Sequence, residues 1–388
     1  MFERAIQVAK LIAVLGTFSS IAYYVLCIWS ARRFLQSKAR APQAAPVSTP
    51  ISILKPLKGT DPEMYESFRS HCLQDYPEYE ITFGVSDPAD PAIELVERLR
   101  KDFPDREIQL IVCREILGAN VKVSNLVQML QQAKHDIVVV NDSDIRVQGD
   151  YLREVSAALG EAQVGMVTCL YRGVAARTLG SRLESLGIST DFSAGVLAAQ
   201  ALEGGMRFGL GSTLALRRSD LISIGGFEAL VDYLADDYEL GVRIANQGLR
   251  VKLAEIVVET FLPAYSLRSF VDHQLRWGRT IRDSRPRGYF GLVTTFGLMW
   301  SLLALVLAKG AMWASALFMA ALLLRLASAI VVGRSVLQDK QVVRFLYLLP
   351  LRDLIAVLVW IGSFLGDTVR WRGEQFRLKD GRLVRTTP

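Results

Sequence analysis

Residues 11–31, LIAVLGTFSSIAYYVLCIWSA, contain no charged side chain. At about 1.5 Å of rise per residue, a helix over this run spans the hydrocarbon core of a bilayer. Lipid offers the backbone no hydrogen-bond partner, so a helix is the form open to such a segment. The run is longer than the apolar core of a signal peptide and no clean small-x-small site follows it. Residues 1–36 therefore read as a transmembrane anchor. Arg4 and Lys10 precede the run, with Glu3 nearby, and Arg32, Arg33, Lys38 and Arg40 follow it. The positive-inside rule places residues 32 onward in the cytoplasm.

Three further apolar runs follow residue 287. Gly288–Ala308 is uncharged, Gly310–Gly333 is interrupted only by Arg325, and Phe345–Gly366 is interrupted by Pro350, Arg352 and Asp353. Residues 288–369 read as C-terminal membrane helices, which makes the protein multi-pass. Three full crossings would carry the basic tail, 370–388, outside. Two crossings and a re-entrant segment at Leu346–Gly366 keep it inside, and Pro350 breaks the helix ahead of the short stretch Leu354–Leu365. Arg325 is expected to face a partner or cavity, and Arg352 and Asp353 to pair locally. The formal net charge is +6, and much of the excess sits beside these runs, at Arg279, Arg282, Arg285 and Arg287 and again from Arg370 to Arg385. That pattern fits anionic lipid headgroups rather than nucleic acid. The four cysteines show no paired spacing, which points to a reducing compartment and away from a zinc site.

Between the apolar runs, SKARAPQAAPVSTP (37–50) reads as a linker. From residue 51 strands and helices alternate: strand Ile51–Leu54, helix Pro62–Gln74, strand Tyr79–Val85, helix Pro91–Asp102, strand Ile108–Val112, helix Val123–Ala133 and strand Ile137–Asn141. This order predicts an α/β, Rossmann-like domain over 51–264, its mostly parallel sheet covered by helices. Ligands of such sheets bind at the carboxyl ends of the strands. No G-x-G-x-x-G follows the first strand and no Walker A sequence occurs, so standard dinucleotide and P-loop sites are disfavoured.

Two acidic clusters, SDPADPA (86–92) and NDSD (141–144), fall at such strand ends; LADDYELG (234–241) and HQLRW (273–277) come later. Each has a plain reading. Asp87 and Asp90 shape a Pro-rich turn, Asp142 and Asp144 close another, and Asp236 and Asp237 favour the start of a helix over Tyr238–Gln247. Lys122 is a surface residue at a helix start, Gly209 and Gly211 allow a tight turn, and Trp277 anchors in the membrane interface. Together they also fit a nucleotide-sugar transferase. One acid binds uridine or ribose, a carboxylate pair holds Mn²⁺ or Mg²⁺ against a diphosphate, and a third acid takes the proton of the attacking hydroxyl.

The motifs ILKPLKG (53–59), DYP (75–77), DPAIELV (90–96), KVSNL (122–126), DSDIRV (142–147), DDYELG (236–241) and LRW (275–277) resemble those of the ceramide glucosyltransferases. The resemblance covers roughly residues 8–385, the WRGEQFRL stretch included. TCLYRG, FGLGSTLALRR and YLADDYELG are also similar to a bacterial branch associated with hopanoid biosynthesis. The resemblance implies an inverting, UDP-sugar-dependent hexosyltransferase of GT-A fold with N-terminal and C-terminal transmembrane helices. It implies a membrane-lipid acceptor, either ceramide or a hopanoid polyol, bacteriohopanetetrol, that receives N-acetylglucosamine. It implies a multi-pass protein of the bacterial inner (cytoplasmic) membrane with its catalytic domain in the cytoplasm.

Carried onto this sequence, the resemblance makes Asp237 the general base and assigns Asp90 and Asp142, with Asp87 and Lys122 beside them, to the nucleotide sugar. Asp142 and Asp144 form a full D-x-D for the metal, and His273, Arg276 and Trp277 meet the acceptor or phosphate. His273 departs from the family pattern, which has Gln or Arg there. Around that motif, residues 265–287 interleave Leu267, Phe270, Leu275, Trp277 and Ile281 with Arg268, Arg276, Arg279, Arg282 and Arg285, which reads as a helix lying in the headgroup plane. Two rivals remain. A processive polysaccharide synthase needs a translocation channel, for which four apolar runs are few. An inactive nucleotide-sugar-binding scaffold has no use for intact acids at all three clusters.

Overall fold

The computed structural model describes residues 1–40, 49–371 and 374–385. The chain divides into two compact units. One comprises Met1–Ala39, Arg177–Ala201 and Ala264–Val369, the other Arg40–Ala176, Leu202–Pro263 and Arg370–Pro388.

The second unit is built on a sheet with eight strands among the described residues. They are β1 Ile51–Pro56, β2 Tyr79–Val85, β3 Glu107–Val112, β4 Ile137–Val140, β5 Ile145–Arg146, β6 Val164–Val174, β7 Leu214–Arg217 and β8 Arg250–Phe261, in the order β3-β2-β1-β4-β7-β6-β8-β5. β1 runs parallel to β2 and β4, β2 to β3, and β6 to β8. β7 lies antiparallel between β4 and β6, and β5 antiparallel to β8. Every residue of β1, β2 and β4 is buried, as in a sheet covered on both faces. Ile53, Phe83 and Val139 share a core with Phe68, Val96 and Val155 from the covering helices. β1 to β4 and the helices Met64–Cys72, Ala92–Asp102 and Val121–Gln132 lie within a few residues of their expected positions. β5 to β8 were outside the sequence reading.

The basic tail is folded rather than a mere charge run. β9 (Thr368–Trp371), β10 (Glu374–Lys379) and β11 (Arg382–Arg385) form a small sheet in the order β11-β10-β9. Phe376, Leu378 and Leu383 point inward while the charged residues between them stay exposed, a period of two. The hairpin turn places Asp380 at φ 53° and Gly381 at φ 78°. Positive φ at both central residues is what a two-residue hairpin turn of type I′ needs.

In the first unit, the helices over Phe2–Ala39 and Met312–Val336 are long and apolar enough to cross a membrane. The N-terminal helix runs on to Arg40, so the expected 37–50 linker does not begin at residue 37; its residues 41–48 lie outside the described residues. The Gly288–Ala308 run is a bent pair, Pro286–Thr295 and Gly297–Leu307, meeting at 48°. Pro350 does not break a helix. It sits in the first turn of Leu349–Ser363, where its missing N–H leaves no bond unmade.

Arg325 has the partner expected of it. Its buried guanidinium forks onto Asp353, Nε to Oδ2 at 2.9 Å and Nη2 to Oδ1 at 2.7 Å, and also bonds Asp191. Asp353 therefore pairs with Arg325 and not with its neighbour Arg352, because adjacent residues on a helix do not face each other. Arg352 instead lies 3.5 Å from Asp191 and donates to Gln274 Oε1.

Candidate active site

The acidic loop after β4 is held from below. Asn141 is fully buried and its Nδ2 donates to Tyr151 OH at 2.9 Å and to the Ser212 carbonyl at 2.7 Å. Ile145 N–H bonds the Asp142 carbonyl at 3.3 Å, so the Asp-Ser-Asp stretch does close a turn. The same carbonyl accepts from Lys55 Nζ at 2.9 Å. Lys55 is a fully buried lysine in β1, and burial pushes its pKa down to about 7 against the pull of Asp144 and Asp142.

Lys122 is not a surface residue. Its Nζ lies 2.8 Å from Asp142 Oδ1 and 3.2 Å from Asp236 Oδ2, with the lysine side chain only 10% exposed. Burial opposes its charge, but Asp142 and Asp236 outweigh burial and hold the ammonium above its ordinary value. The helix start that carries it is fixed by Asn120, the N-cap. Asn120 Oδ1 accepts from Val123 N–H, and its Nδ2 donates to the Tyr233 carbonyl at 2.7 Å and to Asp236 Oδ1 at 3.3 Å.

Asp236 and Asp237 open the helix Asp236–Asn246, two residues earlier than expected, and neither is its N-cap, a place taken by Ala235. Asp237 Oδ1 accepts from Tyr238 N–H at 2.8 Å. Burial first, then the neighbouring Asp236 charge, push its pKa up to about 6 against the opposing pull of Lys122. Gly209 N–H bonds the Asp237 carbonyl at 3.2 Å. A Cβ on Gly211 would stand 3.1 Å from Asp142 Oδ2 and 3.3 Å from Asp237 Oδ2. The missing side chain leaves room that both carboxylates border. Asp144, two residues from Asp142, accepts from Thr260 Oγ1. Burial and then Asp142 push its pKa up to about 6.

The acids after β2 are turn builders. Both oxygens of buried Asp90 accept from Gly59 N–H, at 2.9 and 3.1 Å, and Oδ1 also accepts from Ala92 N–H. Asp87 is exposed, and its Oδ1 accepts from Ala89 N–H at 2.9 Å.

The other unit holds the HQLRW motif on the helix Leu267–Ser284. His273 stacks on Tyr265 at 5.4 Å and lies 5.4 Å from the Trp277 ring, which meets Phe192 at 5.9 Å. Buried Glu184 sits 3.3 Å from His273 Nδ1 and accepts from Gln274 Nε2 at 2.9 Å. Arg276 is half-buried on the same helix.

The family model for glycosyl transferase family 21 matches residues 12–384. The chain belongs to this family. It is similar to ceramide glucosyltransferase 3 of Caenorhabditis elegans, 24% identical over 399 residues, which cover 98% of this chain and 83% of that one. Ceramide glucosyltransferase 1 of the same organism is 23% identical over 355 residues, 87% of this chain and 73% of that one. Among solved structures, a mannosyltransferase from Pyrobaculum calidifontis in complex with GDP-Man and Mn²⁺ has a TM-score of 0.54 at 21% identity, over 92% of this chain and 99% of that one. The fold is GT-A, and the protein is a glycosyltransferase.

This family 21 chain gathers Lys122, Asp236 and Asp237, from two helix starts, around Asp142 at the end of β4 and keeps Asp144 beside them. Among the described residues, no three acidic, histidine or cysteine side chains converge as a complete metal site. Asp142 and Asp144 fit a metal all the same. Mg²⁺-type sites take one or two carboxylates and complete themselves with substrate phosphates, and these two acids, two residues apart, are donors of that kind. The sequence reading missed Lys55, Asn120 and Thr260, and did not choose Asp236. A lysine inside the apolar strand ISILKP was the available signal for Lys55.

Proposed function

We propose that the protein moves a hexose from a UDP-sugar to a hydroxyl of a membrane lipid, with inversion. The observation that carries the reading is the space over Gly211, bordered by Asp142 Oδ2 on one side and Asp237 Oδ2 on the other. A donor-side acid and a proton-accepting acid border one small volume, as a single displacement requires. Asp237 takes the proton from the attacking hydroxyl. A carboxylate with pKa about 6 is ionised at pH 7 yet more basic than an ordinary aspartate. Lys122 keeps Asp142 and Asp236 in place and offers a cation to the donor. Asp87, exposed at the end of β2, is a contact for uridine or ribose, and Asp90 holds that loop in shape.

Asp142 and Asp144 would hold Mn²⁺ or Mg²⁺, which supplies a Lewis acid beside the diphosphate when bound. The two long apolar helices and the relatives named ceramide glucosyltransferases support a lipid acceptor in the membrane. Ceramide is one candidate acceptor, and a hopanoid polyol receiving N-acetylglucosamine is the other. We place the sheet unit in the cytoplasm of a bacterium, and His273, Arg276 and Trp277 at the bilayer surface, on the charge pattern and the amphipathic helix Leu267–Ser284.

The test is direct. Purified protein in nanodiscs is supplied with UDP-glucose or UDP-N-acetylglucosamine, ceramide or bacteriohopanetetrol, and Mn²⁺, and the lipid products are read by mass spectrometry and anomeric NMR. One inverted monoglycosyl lipid is expected. Polymer formation, or UDP-sugar binding without turnover on any lipid, contradicts the reading.

A further inference from the structure

We propose that the C-terminal hairpin β10–β11 is a positioning element for the acid pair Asp236–Asp237, which rests on the reading of Asp237 as the base. The segment before these acids, residues 231–235, belongs to no strand, yet it is bonded on two sides. On one side it lies along the edge strand β11. Leu383 N–H donates to the Asp232 carbonyl at 2.7 Å, Leu234 N–H donates to the Gly381 carbonyl at 3.3 Å, and Tyr233 sits opposite Arg382 as an antiparallel rung. Arg382 also lies over the Tyr233 ring at 5.2 Å and donates from Nε to its hydroxyl at 3.3 Å.

On the other side the segment meets the start of the helix that carries Lys122. Asn120 N–H donates to the Val231 carbonyl at 2.6 Å, Ala119 N–H to Asp232 Oδ1 at 3.0 Å, and Asn120 Nδ2 to the Tyr233 carbonyl at 2.7 Å. Gly118 lets the two backbones approach, since a Cβ there would stand 2.6 Å from the Val231 carbonyl oxygen. The hairpin thus continues, through three residues of chain, to the helix start of Lys122 and its Asp236 partner.

Leu234 is buried, but Asp232 borders open space. A cavity of about 520 Å³ opens beside it, lined by Leu117, Ala119, Asp232, Leu383 and others. With apolar contact missing on that flank, directional hydrogen bonds decide where the chain lies. Leu383 is nearly fully buried, so β11 itself is anchored and serves as the fixed side of the clasp. Asp237 follows Asp232 by only five residues, and a small displacement of a reacting group lowers rate more than binding.

Full-length protein in nanodiscs carrying Leu383→Pro, Asp232→Ala, Asp232→Asn or Asp237→Asn is assayed for transfer, donor KM and unfolding temperature. Leu383→Pro removes the donor to Asp232. Asp232→Ala removes the acceptor for Ala119, and Asn restores an acceptor oxygen. The expected result is a drop in kcat of about tenfold in Leu383→Pro and Asp232→Ala, with donor KM little changed in both and unfolding temperature little changed in Asp232→Ala, and recovery in Asp232→Asn. If Asp237→Asn is inactive while Leu383→Pro and Asp232→Ala turn over normally, the clasp is wrong and the base reading stands. Loss of kcat together with unfolding temperature, unrelieved by Asp232→Asn, also overturns the clasp. An active Asp237→Asn overturns the base reading itself.

Discussion

Lys122→Met tests whether the charge balance of the site is what holds its acids ionised. The lysine makes two ion pairs, at 2.8 Å to Asp142 and 3.2 Å to Asp236. Their burial differs: the Asp236 side chain is 10% exposed and that of Asp142 41%. Breaking a buried pair by removing one partner costs about 3–5 kcal/mol, whereas an exposed pair is worth about 1 kcal/mol or less. Most of the loss therefore falls on Asp236, and we expect about 3 kcal/mol of destabilisation of the sheet unit at pH 8. Adding Asp236→Asn should restore part of the stability, as coupled neighbours do. Lys122 also pulls the Asp237 pKa down, so its removal should move the acid limb of the pH–rate profile above the wild-type value of about 6. Denaturant unfolding in detergent at several pH values and the pH dependence of kcat give both readouts. A Lys122→Met protein as stable as wild type at pH 8, with its acid limb unmoved, would refute the reasoning.

Gly211→Ala should lower kcat about tenfold or more, or ~1.4 kcal/mol of barrier, with the fold intact, because the methyl enters the space between Asp142 and Asp237; kinetics beside a thermal melt check it. Asp142→Ala and Asp144→Ala should abolish transfer and weaken metal-dependent UDP binding by calorimetry, and unchanged affinity in both removes the metal role. In the wild type, transfer should fall as pH drops through about 6, when Asp237 and Asp144 take up protons. Stability runs the other way: with folded values above the ordinary carboxylate range, these groups add stability below that range and lose it as pH rises through 6. Trp277→Ala should raise the apparent KM for lipid or lower kcat while leaving UDP-sugar binding in place, since the ring packs on Phe192 and His273 rather than in the sheet unit.

The first half of the sheet was legible because β1, β2 and β4 are buried on both faces and so read as unbroken apolar runs between helices of clear period. The second half was not. β7 is four residues long and β5 two, too short for any period to register, and both pair antiparallel within a sheet that begins parallel. The alternation QFRLK…RLVR has the period of a hairpin, but the surrounding arginines and lysines point first to anionic lipid headgroups. At the site, motif order supplied Asp142, Asp144 and Asp237, whereas Asn120 acts on neighbours remote in sequence and has no local pattern, and Lys55 showed only as a lysine in an apolar strand. The short turn after β2 gave Asp87 and Asp90 equal standing. Geometry separates them, one exposed and the other spent on the backbone of Gly59 and Ala92.

The most direct measurement of the central claim is single-turnover transfer by Asp237→Asn, alongside its UDP affinity in Mn²⁺. The amide keeps the shape of the side chain and removes the base. If Asp237 accepts the proton of the lipid hydroxyl, UDP affinity stays at the wild-type value while the transfer rate falls by about 10²–10⁴-fold, the range general-base catalysis supplies. Transfer within about tenfold of wild type, ~1.4 kcal/mol of barrier, would contradict the assignment.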